Sequence, residues 1–558
     1  MADYEPDPFP YGVASFEPTS SGVLIWTRVV ETEPLLWEVA TDADFDNVVD
    51  GGWVGGATGT EASQLVTIDD LQPATDHFYR FSLGANRSPV GRTRTLADDD
   101  RPVRLGLACC GDYSAGHFAA YRALARADVD LVVHLGDYVY AEVEGDLRAV
   151  DPAHEARTGE EYRARYAQVR RDPDLQALHQ RHPMMTVIDD HDLADNAHRD
   201  GAKTHEPETE GPWEDRRDTA VAERLEWLPI RADGPAGRTG VAEWRSVRLG
   251  SLGELVLLDT RLAGRDPQAD QGGPDLHDPA RTILGPTQMR WARERVLDTT
   301  GPWSILVSSV VVNPMEIGLP GRFRINKPFP AGYLIEDGIA LNSDGWDGYP
   351  ADRDRLTEAL RERGSGGVLL SGDVHSGWAF EGPSDGDGPV AVEFTCPAVT
   401  SEPMGEMIPV VGKAVEKLMA AEHGVAWVDL FARGHLLVDV GPTSVTATWY
   451  FSDSEDPAAE ARRGASWTTH LDQPGRLEAT DVDPEHDSGT GSGAEGVGDG
   501  GPPPETLRQR DRTTPLPAPP RPPGVIAAEV RHRRRKRLVA TAAITAVILS
   551  LRGPRRIR

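Results

Sequence analysis

The sequence predicts an α/β protein, a layered core of buried strands and helices behind a small all-β domain. Three observations carry the prediction. From Arg101 onward, continuous apolar strands alternate with helical stretches, the pattern of sheets covered by helices. Before that point only short β-branched and aromatic runs occur, broken by turn residues. Four of the later strands also end in polar residues of metal-binding type, and ligands collect at that edge of an open α/β sheet.

The first 97 residues read as strands at 23–28, 35–39, 64–68 and 78–83, with Gly51-Gly52, Gly55-Gly56 and Pro73 as punctuation. About seven short strands in such a length fit a sandwich of fibronectin or immunoglobulin type, assigned to 8–97. A core domain is assigned to 101–455. Its strands are expected at 103–108, 131–135, 184–188, 254–258, 304–312, 367–370 and 391–395, closed by strands at 438–440 and 445–450. Helices are expected at 117–126, 159–181, 287–297 and 352–363. The arginine-bearing stretch 159–181 reads either as a solvated charged face or as a cover over a site.

Residues 474–530 turn acidic and Gly/Ser-rich, then Pro-rich. They lack the apolar content that offsets chain entropy, so a disordered linker is expected. The last segment, 531–558, is basic around an apolar run at 538–551. Fourteen residues reach about 21 Å as a helix, short of a hydrocarbon core of about 30 Å. A short tail anchor, an interfacial helix on anionic lipid and a basic low-complexity tail all fit. The opening residues show no basic region and no apolar stretch. That gives no sign of a signal peptide and leads to an expected location in the cytoplasm or on the cytoplasmic membrane face.

Composition excludes several classes. With 39% hydrophobic and 26% charged residues, the chain is globular. Three cysteines, two of them adjacent, cannot build a disulfide framework. Residues 506–558 hold 14 Lys and Arg against two acids, a net of +12, so the chain total of −31 leaves −43 on the residues before them. A body of that charge repels a phosphate backbone, and no stable nucleic-acid partner is expected.

Four strand ends carry the chemistry: Cys109-Cys110-Gly111-Asp112, then Gly136-Asp137-Tyr138-Val139-Tyr140. The others are Asp189-Asp190-His191-Asp192 with Asp195-Asn196, and Ser371-Gly372-Asp373-Val374-His375. Singly, each is an ordinary turn. Adjacent carboxylates such as Asp189 and Asp190 repel unless a cation or hydrogen bonds compensate. Asp373 and His375 fall on one face of an extended segment. Together the four supply a thiolate, a phenolate, carboxylates and imidazoles, a coordination shell for two or more cations.

This pattern resembles the PhoD-like branch of the calcineurin-type metallophosphoesterase superfamily, over roughly residues 8–452. Trp346-Asp347-Gly348-Tyr349-Pro350, Leu258-Asp259-Thr260-Arg261 and Phe9-Pro10-Tyr11-Gly12-Val13-Ala14-Ser15 share the family's habits. The resemblance implies a two-sheet core flanked by helices, behind the fibronectin-like domain. It implies an iron(III) and calcium centre, other divalent cations being possible, that hydrolyses phosphate mono- or diesters. By position, Cys110 and Tyr140 would hold iron, Asp137 would bridge to a second cation, and Asp190, Asp373 and His375 would complete the shells. Asn196 is a further candidate ligand. Cys109, Gly111 and Asp192 stand where the family has serine, glutamine and glutamate.

The expected reaction is attack by a metal-bound hydroxide on a small or short phosphate ester, with His191 as general acid or positioning donor. Arg261 and Arg353 read as phosphate holders or as structural ion pairs. Cys396, Trp213 and Trp227 read as packing, and His198 as a surface or cleft residue. A scaffold or envelope protein with structural metals, and a metal-dependent nuclease, are the rival readings.

Overall fold

The computed structural model describes residues 7–480, apart from 30–32, 56–61, 232–242, 270–273, 319–332, 336–337, 341–342, 384–387, 409–411 and 423. Of the disordered linker expected at 474–530, residues 474–480 are described and carry the strand Glu478–Ala479, whereas 481–530 and the basic tail at 531–558 lie outside the described residues. Two large mixed sheets dominate. One has ten strands, ordered Glu478–Ala479, Arg462–His470, Ser444–Phe451, Gly434–Val440, Val103–Ala108, Leu131–His134, Pro183–Thr186, Val13–Phe16, Val23–Val29, Ala62–Ile68. The other has seven, ordered Arg245–Arg248, Gly253–Leu257, Trp303–Val307, Gly367–Ser371, Val392–Thr395, Gly377–Glu381, Val425–Asp429.

Side-chain alternation along the strands sets the layers. Leu105, Leu107 and Val133 of the first sheet share one buried cluster with Leu255, Leu257, Ile305 and Leu370 of the second. Their neighbours face outward. Val132 and Met184 pack with Leu124, Tyr166 and Leu178 of the helices Ala119–Arg126, Gly159–Arg170 and Pro173–Arg181. Val256 and Leu306 pack with Met289 and Leu356 of the helices Gly285–Asp298 and Pro350–Arg363. A one-residue slip would invert both faces, so burial fixes the register. The result is an α/β protein with helices outside a pair of sheets.

The expected helix at 159–181 is two helices. Asp172 accepts hydrogen bonds from the N–H groups of Asp174 and Leu175, with Pro173 as the first helical residue. Such a cap and proline start a new helix rather than continue an old one.

The described residues up to 97 build two facing sheets, one of which belongs to the core. Val13–Phe16 pairs in parallel with Pro183–Thr186, carrying Val23–Val29 and Ala62–Ile68 onto the end of the ten-stranded sheet. Leu35–Ala40, Val48–Val54, Asp76–Leu83, Asn86–Arg87 and Gly91–Arg94 form the opposing sheet. Within Val23–Val29, Val23 and Ile25 pack with Val39, Tyr79 and Phe81, while Leu24 and Trp26 pack under the helices. One strand thus serves two cores, and sheet pairing crosses the boundary expected near residue 97. At the other end, Arg462–His470 and Glu478–Ala479 extend the sheet past 455, and the compact unit runs to Thr480.

Val103–Ala108, Leu131–His134 and Pro183–Thr186 run parallel, as do Gly253–Leu257, Trp303–Val307, Gly367–Ser371 and Val392–Thr395. The C-terminal ends of these strands carry the four polar segments.

Candidate metal centre

Three of the four polar segments leave their strands in left-handed backbone, while the third passes from an extended Asp189 into the short 3-10 helix Asp190–Asp192 and turns left-handed only at Asn196. Cys110, Asp137, Asn196, Asp373 and His375 all have positive φ, between 52° and 68°. Non-glycine residues rarely adopt this region, and they cluster at functional sites. Gly136, at φ 105°, lets the second loop pass the third: a Cβ there would sit 2.4 Å from Asp189 Cβ.

The loops converge. Ligand atoms of Cys110, Asp137 and His375 lie within 4.8 Å of one another, as do those of Asp137, Asp190 and His191, and those of Asp189, Asp190 and Asp373. Asp137 joins the first two groups and Asp190 the last two. Tyr140 closes the first group: its hydroxyl donates to Asp137 Oδ2 at 3.0 Å and lies 3.4 Å from His375 Nε2. His375 Nδ1 donates to the Glu402 carbonyl at 2.9 Å, which leaves the Nε2 lone pair pointing inward. Asn196 reaches the site through its backbone N–H, 2.6 Å from Asp190 Oδ2.

Asp192 binds the loops together. Its carboxylate accepts from the N–H groups of Tyr138 at 3.0 Å, Val139 at 3.2 Å and Asp189 at 3.1 Å. The carboxylate at this position fastens the second and third loops.

The electrostatics call for cations. Burial, then the Asp189 charge, raises the Asp137 and Asp373 carboxyls well above their usual range. Burial raises the Cys110 thiol and the Tyr140 phenol in the same way. Burial pushes Asp189 up to about 6, against the pull of Arg261. Burial opposes the charged form of Asp190 too, but Arg261 and His191 outweigh it and its pKa is lowered. His375 is held neutral, down to about 4, by burial. Among the described residues, the buried Asp189 Oδ2 has no hydrogen-bond donor. Acidic donors kept protonated by burial, beside a neutral imidazole, are what a resident cation would deprotonate and bind. Thiolate, phenolate and imidazole suit a trivalent or borderline metal, and the all-carboxylate side suits a hard cation. The residues fit the groups expected of them.

The structure brings the side chains of seven of the eight singled-out residues into one cup, Cys110, Asp137, Tyr140, Asp190, His191, Asp373 and His375, and Asn196 meets it through its backbone N–H. Four further participants were not among them. Asp189 was visible in its motif. Asp344, which pairs with Arg261 at 2.8 Å, lies three residues before Asp347 with no signal of its own. Glu142, 2.9 Å from His191 Nδ1, and Ser401, 2.6 Å from the Tyr140 hydroxyl, are ordinary residues until the chain is folded.

Both arginines are ion-paired. Arg261 is buried against Asp189, Asp190, Asp344 and Asp373, and Arg353 pairs with Asp347. In the helix Gly159–Arg170, Arg165 is buried and donates to carbonyls of Pro152 and His154, while Arg163 pairs with Glu223. That helix packs against Trp213–Trp227 with Trp227 fully buried, so it is part of the frame. Cys109 Sγ lies 3.6 Å from the Cys396 carbonyl oxygen and 3.5 Å from that of Pro397.

Comparison with known proteins agrees with this geometry. The model of the "PhoD-like phosphatase" family matches residues 105–449, and that of the "PhoD-like phosphatase, N-terminal domain" matches 1–97. Alkaline phosphatase D of Bacillus subtilis (strain 168) is 31% identical over 400 residues, covering 67% of this chain and 65% of the relative's own length. A solved structure titled "Structure of PhoD" superposes with a TM-score of 0.74 at 27% identity, covering 87% of this chain and 94% of that one. With the four loops gathered as they are, the chain belongs to the PhoD-like phosphatase family.

Proposed function

We propose that the protein hydrolyses phosphate mono- or diesters at a centre of two or more cations. The observation that carries the reading is the convergence of three overlapping ligand groups through Asp137 and Asp190. Cys110, Tyr140 and His375, with Asp137, would hold iron(III) or a comparable soft-tolerant metal. Asp190, Asp373 and Asn196, with Asp137 shared, would hold calcium or another divalent cation. Such cations supply charge neutralisation on the phosphoryl oxygens and acidification of a water.

The remaining work belongs to the chain. Asp192 holds two loops in register. His375 is fixed by the Glu402 carbonyl and Tyr140 by Ser401. The Tyr140 ring stacks on His191 with centroids 4.4 Å apart and 23° between planes, which places an imidazole against Asp137 and Asp190. A proton held there is available to the departing oxygen.

Metal analysis of the purified protein, with assays on p-nitrophenyl phosphate and bis(p-nitrophenyl) phosphate before and after chelation, tests the proposal. At least two cations per chain and chelator-sensitive turnover of one or both esters are expected. A metal-loaded protein that turns over neither ester would instead be a scaffold. Turnover of single-stranded DNA in preference to both would make it a nuclease, which the −43 body disfavours.

No helix among the described residues is long and apolar enough to cross a membrane. For residues 531–558 we propose contact with anionic lipid, on the strength of the basic run before the apolar stretch. Co-sedimentation with anionic and neutral vesicles tests this, and equal binding to both would refute it.

A further inference from the structure

We infer that Glu142 is a positioning residue that fixes His191 as the proton donor to the leaving-group oxygen. The inference rests on the phosphoesterase reading above. Glu142 lies two residues beyond Tyr140 and its side chain is only 14% exposed, against 13% for His191. Its two oxygens are separately engaged. Oε2 accepts from His191 Nδ1 at 2.9 Å, and Oε1 accepts from the Asp195 N–H at 2.7 Å and from Thr204 Oγ1 at 3.4 Å. The Glu142 carbonyl accepts from Arg165 Nη1 at 3.3 Å. A carboxylate so held has little freedom of its own.

The carboxylate oxygen accepts in this hydrogen bond and His191 Nδ1 donates. That leaves Nε2 as the ring nitrogen free to act, and a ring nitrogen of His191 lies within 4.8 Å of oxygens of Asp137 and Asp190. The Tyr140 stack fixes the ring's plane and Glu142 fixes its rotation within that plane. The backbone locks the same corner: His191 N–H donates to Asp137 Oδ1 at 3.2 Å, and Ala141 N–H donates to the His191 carbonyl at 2.8 Å. Two constraints thus act on the imidazole and a third on the backbone that carries it. They suit a group whose proton must arrive at a defined point.

In the step served, water forms a new P–O bond and the bond to the leaving oxygen breaks with its electron pair. That oxygen takes the proton from His191 Nε2. The attacking water gives up a proton to solvent, from which the imidazole regains its own. Protonation matters most when the leaving alcohol is a poor one. Dinitrophenolate departs unaided, whereas an alkoxide does not.

The test is leaving-group dependence in the metal-loaded, full-length protein. Wild type, Glu142→Gln, His191→Asn and the double variant are compared on 2,4-dinitrophenyl, p-nitrophenyl, phenyl and alkyl phosphate esters, with metal content and thermal midpoint measured alongside. Glu142→Gln is expected to keep its metals and its rate on the dinitrophenyl ester within about 3-fold. It should lose about 10²-fold in kcat on the alkyl ester, in the range of general acid catalysis. In the His191→Asn background it should cost nothing more, because it acts through that histidine. An equal loss on all four esters would overturn the inference, and so would additive losses in the double variant. Loss of a metal equivalent in His191→Asn would make His191 a ligand and overturn it as well. A wild type inactive on every ester overturns the phosphoesterase reading, and the inference falls with it.

Discussion

The cup has two halves with opposite solutions to the same problem. On one side Cys110, Asp137, Tyr140 and His375 are buried, and burial holds every acidic member toward its neutral form. On the other, Asp189, Asp190, Asp344 and Asp373 surround the Arg261 guanidinium, whose Nη2 lies 3.1 Å from both Asp190 Oδ1 and Asp373 Oδ1. Both halves hold buried carboxylates, and in the second the Arg261 guanidinium supplies part of the balancing charge. The first should govern chemistry and metal identity, and the second should govern whether the loops stay together without metal.

Substituting each half in turn tests this division. Asp137→Asn removes the oxygen donor shared by two ligand groups, and should cost at least about 10³-fold in kcat with loss of a metal equivalent. Its metal-free stability should stay within about 1 kcal/mol of wild type, since burial already favours the neutral carboxyl there. Arg261→Met should do the reverse, destabilising the metal-free protein by about 3–5 kcal/mol because it strands buried carboxylates. Millimolar calcium should recover much of that loss in a denaturation series. If Asp137→Asn were the more destabilising of the two, the division would be wrong.

Smaller effects sharpen the contrast. Tyr140→Phe keeps the ring that stacks on His191 but removes the phenolic oxygen. Loss of a visible tyrosinate–iron band and a drop of about 10–100-fold in activity are expected. An unchanged spectrum in an iron-loaded protein would place the iron elsewhere. Acid provides a control outside both halves. Burial depresses His134 to about 3 and His182 and His435 to about 4, against 6.5 when unfolded. Below pH 6.5 the unfolded chain takes up protons that the folded chain refuses, so stability falls as pH falls toward those values. The slope is about 1.4 kcal/mol per pH unit for each histidine. Urea midpoints at pH 8 and pH 5 should show this loss with and without metal. A loss confined to the metal-free protein would trace it to the cup instead.

Much of this was legible before folding, because the cup is built at strand ends and strand ends have a local signature. An apolar run followed by Gly-Asp or Asp-Asp-His can be read from the residues themselves. What escaped depends on partners remote in sequence. Glu142 acquires meaning only when His191, 49 residues on, folds against it, and Ser401 only when Tyr140 arrives. The place of Val13–Phe16 in the main sheet is set by a parallel pairing with residues 183–186, for which no turn or spacing gives a signal. The break at Asp172-Pro173 is readable from its aspartate cap and its proline.

Anomalous diffraction across the iron edge, from crystals of the metal-loaded protein, decides whether Cys110, Asp137, Tyr140 and His375 form one metal pocket. An iron peak is expected, enclosed by the Cys110 sulfur, the Asp137 carboxylate, the Tyr140 oxygen and His375 Nε2. A peak elsewhere, or full metal loading with none among these four atoms, would contradict it.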